Sequence, residues 1–180
     1  MNYIILAILF ILSGFFMKLS DDLFDVNNDS TISTIFGILC GVASGLAAIY
    51  NSEAAYIFIS ILIGNFLVLK VDGIHHIISL ITFAIILLIG GIPNLSLVIL
   101  LICILAIMSD EVGHELISKV TQDKFLNLFF EYRFVMKIVV FLLAVCGVFD
   151  IWAFVCFMMF EIAYVFGGFI FESFNSKMIK

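Results

Sequence analysis

Seven apolar runs, each near the length of a bilayer crossing, account for most of this chain and leave no stretch large enough for a separate soluble domain. They cover approximately residues 3–17, 31–50, 54–71, 76–92, 95–109, 134–149 and 151–171. A helix rises about 1.5 Å per residue, so about 20 apolar residues cross a hydrocarbon core about 30 Å thick. Inside lipid the backbone must satisfy its own hydrogen bonds, and a run of that length does so as a helix. The expected fold is all-α: a polytopic integral membrane bundle of about seven transmembrane helices, with residues 1–180 as a single transmembrane helical domain.

Composition agrees. Hydrophobic residues make up 64% of the chain and charged residues 12%, against roughly 25% charged in soluble domains. The first run lacks a basic leader and ends in Met17-Lys18-Leu19-Ser20, so it reads as a span and not as a signal peptide. No basic stripe exists to meet a phosphate backbone, which excludes nucleic acid as a partner. Cys40, Cys103, Cys146 and Cys156 sit in apolar runs without Cys-x-x-Cys spacing and read as small hydrophobes.

The basic residues give the expected orientation. With seven crossings, Lys18, Lys70, Lys119, Lys124, Arg133, Lys137, Lys177 and Lys180 all fall on one side. The positive-inside rule makes that side cytoplasmic, places the N-terminus outside and the C-terminus inside, and locates the protein in the cell membrane with its polar site facing the cytoplasm. Residues 110–130 break the apolar pattern. Leu116, Ile117, Val120, Phe125, Leu128 and Phe129 alternate with charges there, as in a helix lying along the interface.

Gly37, Gly41 and Gly45 form a small-residue ridge on the second run, where another helix can approach closely. Chemistry concentrates elsewhere. Asp21-Asp22-Leu23-Phe24-Asp25 has the form Asp-Asp-x-x-Asp and resembles the aspartate-rich motif with which prenyl transferases hold Mg²⁺ against a diphosphate. No second motif of theirs is present, so no family is assigned. Asp29 reads as the N-cap of the second span.

Two further segments pair an acid with a histidine at helical spacing: Asp72 with His75, and Glu111 with His114, the second reinforced by Asp110 and followed by Glu115. Such spacing puts both side chains on one helix face, where they can share a metal ion. Helical bundles holding two ions use related motifs from several helices. The expected metal ligands are Asp21, Asp22, Asp25, Asp72, Asp110 and Glu111, with His75, His114 and Glu115 as candidate bases or ligands. Oxygen-rich ligation favours Mg²⁺ or Mn²⁺, with Zn²⁺ or Fe as alternatives.

Lys70, Arg133 and Lys137 are the candidate phosphate-binding cations. Glu161 stands within the last apolar run, where a carboxylate needs a proton, a partner or an ion. Together these residues suggest a metal-dependent transferase or hydrolase acting at the cytoplasmic membrane face on a lipid-linked, polyprenyl-type phosphate or diphosphate. A cation or proton transporter with an acidic cytoplasmic vestibule is the alternative, and a non-catalytic membrane partner protein the third reading. Expected partners are membrane lipid and the lipid-linked substrate, and a homo-oligomer is compatible with the sequence.

Overall fold

The computed structural model describes residues 2–71, 73–120 and 122–178, apart from the side chains of residues 118, 177 and 178. The structure is 85% helix, with no strand among the described residues. Among the described residues eight helices follow in order: α1 (Tyr3–Asp25), α2 (Ser30–Tyr50), α3 (Ser52–Leu67), α4 (Ile74–Gly90), α5 (Leu97–Val120), α6 (Lys124–Glu131), α7 (Phe134–Val145) and α8 (Ile151–Met178). Four of them, within Tyr3–Asp25, Ser30–Tyr50, Leu97–Ile117 and Ile151–Ser176, are long and apolar enough to cross a membrane. Large apolar side chains cover the outside, among them Ile4, Leu88, Leu105, Ile162 and Phe169.

The helices close into a ring in which α1 touches α2, α2 touches α3, α3 touches α5, α5 touches α7, α7 touches α8, and α8 returns to α1. Helix α4 packs against α2. The small-residue ridge explains that contact. A Cβ on Gly37 would lie 2.7 Å from the His75 carbonyl oxygen, and one on Gly41 2.5 Å from that of Ser79, so only glycine lets the two backbones come this close. The core between helices is filled by Leu6, Phe10, Ile57, Cys103, Val140, Cys156 and Phe157. Three cysteines are buried as small hydrophobes, whereas Cys146 is exposed.

At one end of the ring, hydrogen bonds gather the chain start and three helix ends. Asn2 N donates to Tyr50 Oη at 2.9 Å, Tyr3 Oη donates to Asp150 at 2.8 Å, and Asp150 N donates to Glu53 at 2.8 Å. Asn51 serves two helices: its backbone N–H closes α2 and its side chain caps α3. The acid-rich segments lie at the opposite end.

Several sequence-based boundaries change. The first helix does not stop at Met17 before an acidic loop. It continues to Asp25, supported by a Lys18–Asp22 pair at 2.9 Å one helical turn apart, and ends where Asn28 turns left-handed at φ 53°. The fifth run likewise does not give way at Ser109 to an interfacial helix over 110–130. Helix α5 carries Asp110 through Glu115 without a break, and the short α6 is separate. It can do so because partners on α7 and at Arg133 satisfy Asp110 and Glu111, so these charges need no water. Helix α3 unwinds at Val68 before the left-handed Leu69, at φ 59°, and α7 ends at Val145 before Gly147, at φ 73°.

Candidate functional site: an acid-lined cavity in the mouth of the ring

Helix periodicity places the first group of acids. Lys18, Asp21, Asp22 and Asp25 recur at three- and four-residue intervals, so the last two turns of α1 present them on one face. That face borders a cavity of about 330 Å³. Its wall also includes Asn65 of α3, Lys70, His76 of α4, Asp110 and Glu111 of α5, Arg133, and Glu161 and Tyr164 of α8. Ile61, Ile107, Phe157 and Phe160 supply apolar surface. Residues from five of the six ring helices, and from α4, thus meet in one space.

The charges are organised as pairs. Arg133 Nε donates to Glu111 Oε1 at 2.6 Å, Lys70 reaches Glu115 at 2.9 Å and Glu111 at 4.0 Å, and Lys137 meets Glu161 at 2.9 Å. Lys137 also donates to the Tyr132 carbonyl oxygen. Arg133 holds a left-handed backbone at φ 50°, which is uncommon for a residue with a Cβ and costs about 1 kcal/mol or more. The conformation turns the chain sharply from α6 into α7 and delivers the guanidinium to Glu111. The wall's six carboxylates face four cations, Lys18, Lys70, Arg133 and, behind Glu161, Lys137, so that among the described residues Asp21 and Asp25 are left without a lysine or arginine partner.

Asp110 is fully buried and its two oxygens are taken. It accepts Val135 N at 2.9 Å and Met136 N at 2.8 Å, capping the first turn of α7. Its position in the wall therefore reflects helix capping, and neither oxygen faces the space alone.

A second convergence lies beside the cavity. His75 Nε2 stands 3.6 Å, and His76 Nε2 3.8 Å, from the same Asp21 Oδ1. The three side chains bring ligand atoms within 4.8 Å of one another. His75 is only 2% exposed, and neither of its ring nitrogens has a hydrogen-bond partner. Asp21 Oδ2 accepts from Tyr164 Oη at 3.3 Å, while Oδ1 is buried without a hydrogen bond. A narrower cavity of about 90 Å³ reaches the same three residues from the side of Cys40 and Ser79.

Of the residues singled out from sequence, the cavity gathers Asp21, Asp22, Asp25, Lys70, Asp110, Glu111, Arg133 and Glu161. His114 and Glu115 are not in its wall, and Glu115 instead meets Lys70 at the surface. Lys137 lies behind Glu161, beside a neighbouring groove. Asp72 lies outside the described residues. Four polar members of the wall, Lys18, Asn65, His76 and Tyr164, are outside that set. His76 follows Asp72 at four-residue spacing but was passed over in favour of His75, and Tyr164 carries a signal only in hindsight, three residues after Glu161 and so on the same helix face.

The class defined by these features is an all-helical protein with four membrane-length apolar helices and an acid-lined cavity among them. Comparison with models of known protein families, with curated proteins and with solved structures finds no match.

Proposed function

We propose that this protein is a membrane-embedded, metal-dependent enzyme acting on a lipid-linked phosphate or diphosphate, by transfer or hydrolysis. In this reading α3, α4 and α7 cross the membrane as short spans beside the four longer helices. The cavity end faces the cytoplasm, with the N-terminus outside, in keeping with the basic residues clustered toward that end.

The observation that carries the reading is the charge of the cavity wall. Asp21 and Asp25, carboxylates of that wall with no lysine or arginine partner among the described residues, repel a phosphate unless a cation enters first. Hard carboxylate oxygens on one face of α1 suit Mg²⁺ or Mn²⁺, which bind through a few protein ligands and keep positions for phosphate oxygens. Asp22 and Asp25 hold the ion; Arg133 and Lys70 face the remaining phosphate charge. The apolar surface from Ile61, Ile107, Phe157 and Phe160 receives the start of the lipid chain.

The test is turnover. Protein in nanodiscs is incubated with polyprenyl monophosphate, polyprenyl diphosphate or phosphatidic acid, with Mg²⁺ or with chelator, and product formation is followed by mass spectrometry. Mg²⁺-dependent conversion of one of them, lost in Asp22→Asn and Asp25→Asn, is expected. No conversion of any by folded protein contradicts the reading.

A cation or proton pathway is the second reading, favoured by the Lys137–Glu161 pair within the apolar part of α8. Ion flux into proteoliposomes that requires Glu161, without lipid turnover, would select it.

A further inference from the structure

The Asp21, His75 and His76 cluster differs in chemistry from the carboxylates below it. We propose that these three residues form a binding site for one first-row divalent transition ion, of the zinc class, distinct from the Mg²⁺-type site on Asp22 and Asp25. The inference rests on the cavity reading for its setting but not on phosphate chemistry.

Geometry is the first argument. Metal-ligand bonds of about 2.0 to 2.1 Å at tetrahedral angles put neighbouring ligand atoms about 3.3 Å apart. The two histidine nitrogens lie 3.6 Å and 3.8 Å from Asp21 Oδ1, so small rotations of the rings bring all three onto one ion. These spacings are longer than a normal hydrogen bond and shorter than unrelated side chains require.

Burial is the second. An imidazole that is 2% exposed with both nitrogens lacking a hydrogen-bond partner is costly, and a metal bond removes that cost on one side. The fold holds the ring there firmly: a Cβ on Gly73 would lie 2.4 Å from His75 Nδ1, and Phe24 lies over the ring with centroids 4.5 Å apart. Tyr164, donating to Asp21 Oδ2 at 3.3 Å, orients the carboxylate as outer-shell partners of metal ligands do.

Donor type is the third. Two imidazoles and one carboxylate favour borderline transition ions over Mg²⁺. Asp21 and His76 also line the larger cavity, so a further coordination position can face that space, as in zinc sites that keep one position for water or substrate.

The test uses the full chain in detergent, stripped by chelator and titrated with Co²⁺ as a spectroscopic probe, then with Zn²⁺ in competition. One equivalent of Co²⁺ should bind, giving visible absorption bands of a low-coordinate site that Zn²⁺ abolishes. His76→Ala and Asp21→Asn should weaken binding at least about tenfold, while His114→Ala leaves it unchanged. Circular dichroism confirms folding of each variant, and the conservative His75→Gln covers the case in which a smaller residue empties the core. No Co²⁺ bands in folded wild type, or bands that persist in both His76→Ala and Asp21→Asn, overturn the proposal. If those bands are absent while Mg²⁺-dependent lipid-phosphate turnover persists, the transition-metal site falls and the enzyme reading stands. Intact Co²⁺ binding without turnover of any lipid phosphate has the opposite meaning.

Discussion

Asp110 on α5 accepts the backbone N–H groups of both Val135 and Met136, at 2.9 and 2.8 Å, and so fastens the start of α7 to α5. A helix begins with unsatisfied N–H groups, and inside an apolar bundle no water is at hand to take them. One buried carboxylate meets that need for two of them. Replacing Asp110 by Ala should destabilise the protein by about 1 to 2 kcal/mol, read as a lower melting temperature in detergent. Asp110→Asn keeps one acceptor and should lose less.

Lys137 and Glu161 join α7 to α8 at 2.9 Å, with the lysine 9% exposed. Removing one member of such a pair strands the other charge in an apolar setting, which costs more than the pair contributes. Glu161→Gln or Lys137→Met alone should lower stability by about 2 kcal/mol, and the double variant should recover part of the loss. Thermal unfolding of the four proteins in one detergent makes the comparison, and strictly additive losses would argue against the pair.

Helices α1 and α8 touch where a Cβ on Gly14 would fall 2.2 Å from the Phe160 carbonyl oxygen. Backbone cannot retreat as a side-chain tip does. Gly14→Ala should therefore push the helices apart and cost about 1 to 3 kcal/mol. Because Phe160 and Glu161 line the cavity, the same substitution should also weaken any ligand held there. Wild-type stability in this variant would mean that the helix contact is looser than described.

At the other end of the bundle, Asp150 accepts from Trp152 N and from Tyr3 Oη, and these bonds hold its carboxyl below the ordinary value of 3.8. A depressed folded-state value stabilises the fold above the unfolded value, and the contribution fades as pH falls through the folded one. Melting temperature should thus drop below about pH 4, and Asp150→Asn should lessen that drop. An identical acid response in the variant would assign the transition to other carboxylates.

The apolar runs made the helices legible, since length and hydropathy leave few alternatives inside lipid. Helix ends were harder to read where charges entered. Asp110 and Glu111 looked like the end of a span because sequence does not reveal partners at Val135, Met136 and Arg133, more than twenty residues away. The α1 acids were recognised as a group but placed beyond the end of the first span, so the shared face that the helix gives them by running on to Asp25 was not read. Their meeting with His76 could not be read, because it depends on α4 folding back over the glycine ridge of α2 so that the start of α4 lies beside the end of α1. His114 shows the converse: its acid-histidine spacing was sound, but α5 keeps it out of the cavity wall.

The central claim is that a divalent ion in the α1 carboxylates admits an anionic lipid headgroup, and equilibrium binding tests it most directly. Binding of a short isoprenoid diphosphate to the protein in nanodiscs is measured by calorimetry, with Mg²⁺ present or chelated, in wild type, Asp22→Asn and Asp25→Asn. The account predicts saturable binding that requires Mg²⁺ and weakens at least about tenfold in each variant, the scale of one charge-assisted contact worth about 1.4 kcal/mol or more. Absence of binding by folded wild type, or binding that survives both chelation and the two substitutions, would contradict it.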